Sequence, residues 1–408
     1  MDKKNKKNVL VITTSFPRWP EDFDGLFVYD LSKRLVDSFN VFVLAPHYKG
    51  AKIRENWSGL SIYRFKYFWP IRLQRLCGGA PSMLLNFKKY KLSYFQLPLF
   101  MISYFLKLKK IVEKENIDVI HAHWIIPQGF IAVLYKKLFR KKDLKIICTS
   151  HGIDAFALKK LNFLKKWVIN NIDNLTTVSD DIRRKIIKLG IKNSTIIDVI
   201  SMGVDDRLFR ENKYDENIKL NYNIQGPLLL FVGTLVEKKG VTYLLLAMLK
   251  VIKKYLNTKL LIIGCGPLES DLKKQAKKLN IQNNVVFVGA IPNQELPQYY
   301  ATADIFIGPS VVAKDGDSEG FGLVFVEAML SKTAVISSDS YAISDIVKNN
   351  ETGIQCGVKN TEKFSNEILS LLDNKKRREK LIQNGYNYVK NHFTWDIIAK
   401  KYFEILNQ

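Results

Sequence analysis

Cysteine is scarce: Cys77, Cys148, Cys265 and Cys356 are the four in 408 residues, far apart and with no Cys-x-x-Cys pair. That spacing argues against a disulfide framework and points to reduced, buried thiols in a cytoplasmic chain. Acids are also in deficit, 39 Asp and Glu against 63 Lys and Arg, for a formal charge of +24. Such an excess requires an anionic partner without naming it. No apolar run reaches the ~20 residues of a membrane span. The best candidate, Leu92 to Leu106, has 15 uncharged residues and includes Gln96 and Pro98. The opening MDKKNKKNVLVITTSFP is basic like a signal peptide, but its apolar run breaks at Pro17 and lacks a small-residue cleavage site. A first β-strand is therefore the expectation there. Short-period repeats and low-complexity segments are missing as well.

What is present is a globular composition, 47% apolar, in a chain long enough for two or three domains. Short apolar runs alternate with longer helical patterns. Candidate strands are Val9–Thr13, Val41–Ala45, Val119–His121, Lys145–Thr149, Leu228–Val232, Leu260–Ile263, Val285–Val288, Ile305–Gly308 and Ala334–Ser337. Continuous apolar strands between helices indicate parallel sheets covered on both faces. The pattern runs once before about residue 205 and again after it, which predicts two doubly wound α/β domains with ligand loops at the carboxyl ends of the strands.

One stretch stands out, SEGFGLVFVEAMLSKTAVIS from Ser318 to Ser337. Small residues at the mouth of a helix let backbone N–H groups approach an anion, and the helix dipole favours negative charge there. Glu319 in that mouth suits a ligand bearing hydroxyls as well as phosphate. Glu327 lies inside an apolar run, where a charge needs a partner. Glu327 lies eight residues on from Glu319, about 12 Å along a helix, so one helix could hold a nucleotide-sugar by both ends. A surface helix with two solvated glutamates is the plain alternative.

Other loops offer weaker signals. Gly25, before the helical pattern near Phe27, is either an ordinary turn or a backbone approach to phosphate. His151 ends a strand before Gly152 and is placed to donate to a substrate oxygen, with a satisfied core histidine as the competing reading. His121 and His123 are expected on opposite faces of their strand, which counts against a zinc site. Lys239, in GTLVEKKG, is a natural phosphate ligand or simply solvated. IIGCGPLE begins like a dinucleotide fingerprint, but Glu269 holds the third glycine position, so NAD and FAD lose support. In residues 49–115, 14 Lys or Arg face three acids, with 13 aromatics from Trp57 to Phe105 interleaved. That mixture suits an anionic membrane surface, a solvated basic face over core aromatics, or single-stranded nucleic acid.

Together, GTLVEKKG, IIGCGP, VGAIP, SEGFGLVFVEAM and NETG, with the softer Gly25, HAHW, SHGID and MGVD, resemble the family 4 glycosyltransferases of the GT-B fold, which are retaining enzymes. The resemblance implies two Rossmann-like domains facing across a cleft: an acceptor-binding domain over 1–205 and a nucleotide-sugar-binding domain over 206–388. A C-terminal helix at about 389–408 would pack back on the first. It implies that Glu319 holds donor-sugar hydroxyls and Glu327 the ribose, and that amides of the Gly320–Leu323 turn (Gly320, Phe321, Gly322, Leu323) meet the diphosphate. Lys239 would neutralise the diphosphate, Gly25 approach it, His151 touch the sugar, and Ile291 flank the base. Thr234 stands where the family usually has arginine, and a hydroxyl cannot replace a bidentate guanidinium. No Asp-x-Asp motif is positioned to hold a metal, so no metal or other cofactor is expected.

The expected function is transfer of a sugar from a UDP- or GDP-sugar to a lipid-linked or polysaccharide acceptor, in the cytoplasm at the inner face of a membrane. The alternatives are a GT-B-like nucleotide-sugar epimerase or hydrolase and, last, a nucleic-acid-binding protein, in which Glu319 and Glu327 would have no role.

Overall fold

Runs such as LLLFV and KLLII are apolar at nearly every position, and the fold covers both of their faces. The computed structural model describes residues 6–20, 22, 24–77, 83, 86, 90–156, 159–192, 194–314 and 316–408. It divides into two units, one of residues up to Met202 with Ile398–Gln408, the other Gly203–Ile397.

In the first unit the strands are β1 (Asn8–Ile12), β2 (Asn40–Pro46), β3 (Arg54–Trp57), β4 (Leu60–Phe65), β5 (Val119–His123), β6 (Lys145–Ser150), β7 (Asn174–Thr177) and β8 (Ile197–Val199). They form one sheet in the order β3-β4-β2-β1-β5-β6-β7-β8, parallel except for edge strand β3. The helices used below are α1 (Leu26–Leu35), α2 (Leu92–Lys114) and α3 (Phe130–Leu138). The second unit has β9 (Leu228–Val232), β10 (Lys259–Ile263), β11 (Val285–Gly289), β12 (Ile305–Gly308), β13 (Ala334–Ser338) and β14 (Ile354–Cys356), ordered β11-β10-β9-β12-β13-β14 and all parallel. Its helices include α4 (Val241–Lys254), α5 (Leu296–Thr302), α6 (Leu323–Leu330) and α7 (Lys375–His392). In each sheet the direction of strand addition reverses once, between β1 and β5 and between β9 and β12. Ligands of doubly wound sheets bind outside the carboxyl ends of strands at such reversals.

Each of the nine anticipated strands forms. Five others escaped notice, for physical reasons. β7 reads NLTT, too polar to resemble a core strand, yet it is wholly buried. Its hydroxyls are satisfied sideways: Thr176 Oγ1 lies 2.7 Å from Thr149 Oγ1, which is 2.8 Å from His121 Nε2. β3, β4, β8 and β14 are short or alternate with polar residues.

The last helix, α8 (Trp395–Asn407), matches the amphipathic run Asp396–Leu406 that follows Thr394-Trp395 in the sequence, whereas the boundary expected near 389 falls earlier. Lys375–His392 is one continuous helix of the second unit, so the chain joins the first unit at Ile398 rather than near 389. Trp395 fills the space beside Gly203, where a Cβ would lie 2.6 Å from its ring. Beyond it, Tyr402 is fully buried and its hydroxyl reaches Thr149 Oγ1 at 3.3 Å.

The basic and aromatic segment proves to be two things. Phe65, Tyr67, Phe100 and Tyr104 are core, with Phe65 stacked on Tyr104 at 4.5 Å between centroids. Trp69, Tyr94 and Phe95 are exposed. Phe87 of that segment lies outside the described residues.

Candidate functional site

At the reversal in the second sheet, the loops after β9 and β12 meet. The Val311 amide donates to the Lys238 carbonyl at 2.7 Å, and Gly240 packs so closely that a Cβ would lie 1.9 Å from the Pro309 oxygen. Gly240, at φ 66°, ends the loop and opens α4, leaving Lys239 just before the helix. The GxG after β10 is a packing device rather than a dinucleotide cradle: a Cβ on Gly264 would lie 2.1 Å from the Gly233 oxygen, and one on Gly266 2.5 Å from the Leu235 oxygen.

Lys239 Nζ lies 2.5 Å from Glu319 Oε2. Burial works to raise the Glu319 pKa, but the Lys239 charge and hydrogen bond outweigh it, with Lys238 adding to them, and hold the carboxyl below its usual range. Ser310 Oγ stands 3.5 Å from the same oxygen, and Lys238 pairs with Asp317 at 3.1 Å. Glu319 curls over the start of α6, its Cγ within 3.9 Å of where a Gly322 Cβ would sit. Gly322 opens α6 at φ 94° with no side-chain cap, and its missing Cβ makes room for Phe325. Its glycine identity is therefore set by backbone conformation and packing.

Residues 319–322 are loop, not helix, so the 12 Å helical spacing between the two acids does not apply. Glu327 instead sits in the second turn of α6, where Oε2 accepts a hydrogen bond from Tyr300 of α5 at 2.8 Å. Burial pushes its carboxyl up to about 7, against the pull of Tyr300 and Lys239. One lysine thus acts on both acids. Ile291 lies in the loop two residues beyond β11, and Thr234 is exposed in the loop after β9.

The raised Glu327 pKa has a signed consequence. Between about 4.5 and about 7 the unfolded chain releases a proton that the folded chain keeps, so this residue lowers stability as pH rises through that window. The full loss is on the order of 3 kcal/mol. Denaturant titration of Glu327→Gln, which cannot ionise, is expected to show a shallower decline from pH 5 to pH 8 than the natural chain. An identical decline would remove Glu327 as the source.

In the first unit, the loops after β1, β5 and β6 gather a second group. Gly25 opens α1 at φ 70°, and a Cβ there would lie 2.4 Å from the Ser15 carbonyl, so only glycine fits. Two residues on, the Phe27 ring lies 5.0 Å from His151, which also meets Trp124 at 4.9 Å between centroids. His121 and His123 share a face, their rings 4.4 Å apart, which corrects the expectation of opposite faces. Residues two apart on a strand point the same way. No group of three or more His, Cys, Asp or Glu among the described residues is arranged to hold a metal ion.

His123 Nδ1 lies 2.9 Å from His151 Nε2, while His123 Nε2 is buried without a partner. Between two neutral rings, one of these nitrogens donates the hydrogen bond and the other accepts it. Burial holds both rings neutral, lowering His151 to about 3. Asp154 ties the loops together, accepting from the Ile125 amide at 2.9 Å, Ser150 Oγ at 2.9 Å and the Gly152 amide at 3.1 Å.

The family description "Glycosyltransferase Family 4" matches residues 25–208, and "Glycosyl transferases group 1" matches residues 213–388. An uncharacterised glycosyltransferase of Methanocaldococcus jannaschii is 31% identical over 291 residues, 71% of this chain and 74% of that one. The chain belongs to the family 4, group 1 glycosyltransferases. This glycosyltransferase is also 25% identical to the N-acetyl-alpha-D-glucosaminyl L-malate synthase of Bacillus anthracis, over 82% of this chain and 85% of that one. It is 23% identical to a GDP-mannose-dependent phosphatidylinositol monomannoside mannosyltransferase of Mycobacterium tuberculosis, over 74% and 78%. In fold it matches the sucrose-phosphate synthase of Thermosynechococcus elongatus at a TM-score of 0.77, with 20% identity and 99% of each chain covered. Two parallel-sheet α/β units of this kind make a GT-B glycosyltransferase.

Sequence reasoning missed Tyr300, Ser310, Trp124 and Asp154 as members of these clusters. Tyr300 and Ser310 sit in no motif. Trp124 ends HAHW, a motif that carries no sign of the positive φ of 80° at this position. Asp154 was within SHGID, a signal that an acid near a strand end deserved an assignment.

Proposed function

We propose that this glycosyltransferase moves a hexose, with retention at the anomeric carbon, from a UDP- or GDP-sugar to a lipid-linked or polysaccharide acceptor. It would do so in the cytoplasm at the inner membrane face and without a metal, in the biosynthesis of a cell-surface glycan. The observation that carries the reading is the Glu319–Lys239 pair at the uncapped start of α6. A diphosphate attracts Lys239 and the amides at Phe321, Gly322 and Leu323, and so draws the lysine off Glu319. The freed carboxylate is then an acceptor for sugar hydroxyls. Glu327, with Oε2 held by Tyr300, keeps its other oxygen for the ribose, and Ile291 flanks the base. As the sugar–phosphate bond breaks, charge collects on the diphosphate, where Lys239 and the amides stabilise it. Lys238, one residue from Lys239 and paired with Asp317, is the neighbouring base assigned to stand in for the guanidinium that Thr234 lacks. In the first, acceptor-binding unit, Gly25 is assigned to the phosphate and His151 to a sugar oxygen.

The glycolipid acceptor named for the mycobacterial relative supports a membrane acceptor here, and the basic, aromatic segment 49–115 supports attachment to an anionic surface. Neither Glu319 nor Glu327 serves a nucleic acid, so none is a partner. The test is donor turnover over a panel of UDP- and GDP-sugars, with and without acceptor glycolipid extracts, in EDTA. Acceptor-dependent transfer that survives EDTA is the expected result. Fast donor conversion without acceptor would favour an epimerase or hydrolase, and a strict Mg²⁺ requirement would overturn the metal-free mechanism.

A further inference from the structure

Helix α2 has two apolar faces where a globular protein needs one. Its inner face, with Gln96, Phe100, Tyr104, Leu108 and Ile111, is buried. On the other side, Phe95, Leu99, Ile102 and Leu106 fall at i, i+4, i+7 and i+11, a single stripe along the helix. All four are exposed, Phe95 by 75%, Ile102 by 57% and Leu106 by 59%. The stripe continues sideways. Phe105 of α2 packs on Tyr135 and Phe139 at the end of α3, at 6.3 and 6.2 Å between centroids, and α3 leaves Leu138 62% exposed. Cations surround this surface. Lys91 precedes α2, Lys109 lies over the Phe139 ring at 4.6 Å and pairs at 4.0 Å with Glu113, an acid in line with the stripe, and Lys110 follows Lys109. Lys137, Arg140, Lys141 and Lys142 are exposed at the end of α3, and no acid occurs from Phe130 to Lys142. Among the described residues, no helix is long and apolar enough to cross a membrane.

We infer that this α2–α3 face is where the protein docks on a bilayer, its apolar stripe entering the acyl boundary and its lysines and arginines resting on anionic phosphate headgroups. An apolar stripe ringed by cations is the pattern of a helix lying in the membrane interface. Charge decides between occupants: a second copy would bring the same cations face to face, whereas an acidic leaflet complements them. The inference rests on the proposed membrane acceptor, confines the contact within segment 49–115 to one helix face, and extends it to α3 beyond that segment. The core aromatics Phe65, Tyr67, Phe100 and Tyr104 take no part.

The test is co-sedimentation of the full chain with vesicles of phosphatidylcholine alone and of equal parts phosphatidylcholine and phosphatidylglycerol. The natural chain is expected to partition onto the anionic vesicles and to be released by salt. A Phe95→Gln, Ile102→Gln, Leu106→Gln variant should lose at least about tenfold in partition coefficient, and a Lys109→Glu, Lys110→Glu variant should lose retention on anionic vesicles alone. Light scattering and calorimetric donor binding on the same samples separate the outcomes. If the glutamine variant turns a dimer into a monomer while vesicle binding is unchanged, the face is a protein interface and the inference fails. If neither variant changes retention, it also fails, while intact donor binding leaves the transferase reading standing. Vesicle binding without donor binding would preserve this surface and defeat that reading.

Discussion

Glu319→Ala is expected to lower sugar transfer by roughly a thousandfold, the scale set by removing a group that acts on the reacting sugar. The fold should survive. Glu319 sits in a loop, its ion pair is with Lys239, and that ammonium can turn to solvent on its flexible stem once the carboxylate is gone. A melting temperature within a few degrees of the natural chain, together with the lost rate, would tie the residue to chemistry. Glu319→Gln refines the outcome. It keeps the shape and a hydrogen-bond acceptor but not the charge, so a partial rate there would assign the role to hydroxyl binding. Full activity in the alanine variant would reject the assignment of Glu319 and with it the site as drawn.

For Lys239→Met the expectation is a loss of about a hundredfold in transfer, with a second signature that rate alone does not give. Burial raises the Glu319 pKa, and it is the lysine charge that holds it down. Without that charge the carboxyl needs a higher pH to ionise, so the acidic limb of the pH–rate profile should move up. Stability shifts too. A carboxylate with a depressed folded pKa contributes stability above its unfolded pKa and loses it as pH falls through the folded one. Removing the lysine abolishes that contribution at neutral pH and leaves a largely buried acid unpaired, a cost of about 3 kcal/mol. Lys239→Arg keeps the charge and should retain the natural acidic limb even if its bulk slows the reaction. An unmoved limb in the methionine variant would show that something other than this pair sets the charge on Glu319.

Much of the second unit was legible because its signals are local. The strands announce themselves as unbroken apolar runs, and α6 spans Leu323–Leu330 as the sequence pattern suggests. The glycines at 240 and 322 sit where φ is positive. The first unit was harder. β7 is a buried strand made of polar residues, and its burial depends on Thr149 and His121 arriving on neighbouring strands. His121 and His123 share a face because side chains two apart on a strand point the same way, and the ring-to-ring contact of His123 with His151 arises only where β5 and β6 lie side by side.

Motif resemblance pointed to the GT-B family, while the sequence by itself determined two doubly wound halves, a glycine-bearing helix start beside Glu319 and a formal charge of +24. These follow from periodicity, glycine placement and net charge, which are additive along the chain. Only the tertiary structure decided that Lys239 neutralises Glu319, that Tyr300 holds Glu327, and which aromatics of segment 49–115 are core and which face outward. Those outcomes depend on pairs 27 to 80 residues apart and on which side of a helix finds a partner, and neither is encoded in any single stretch.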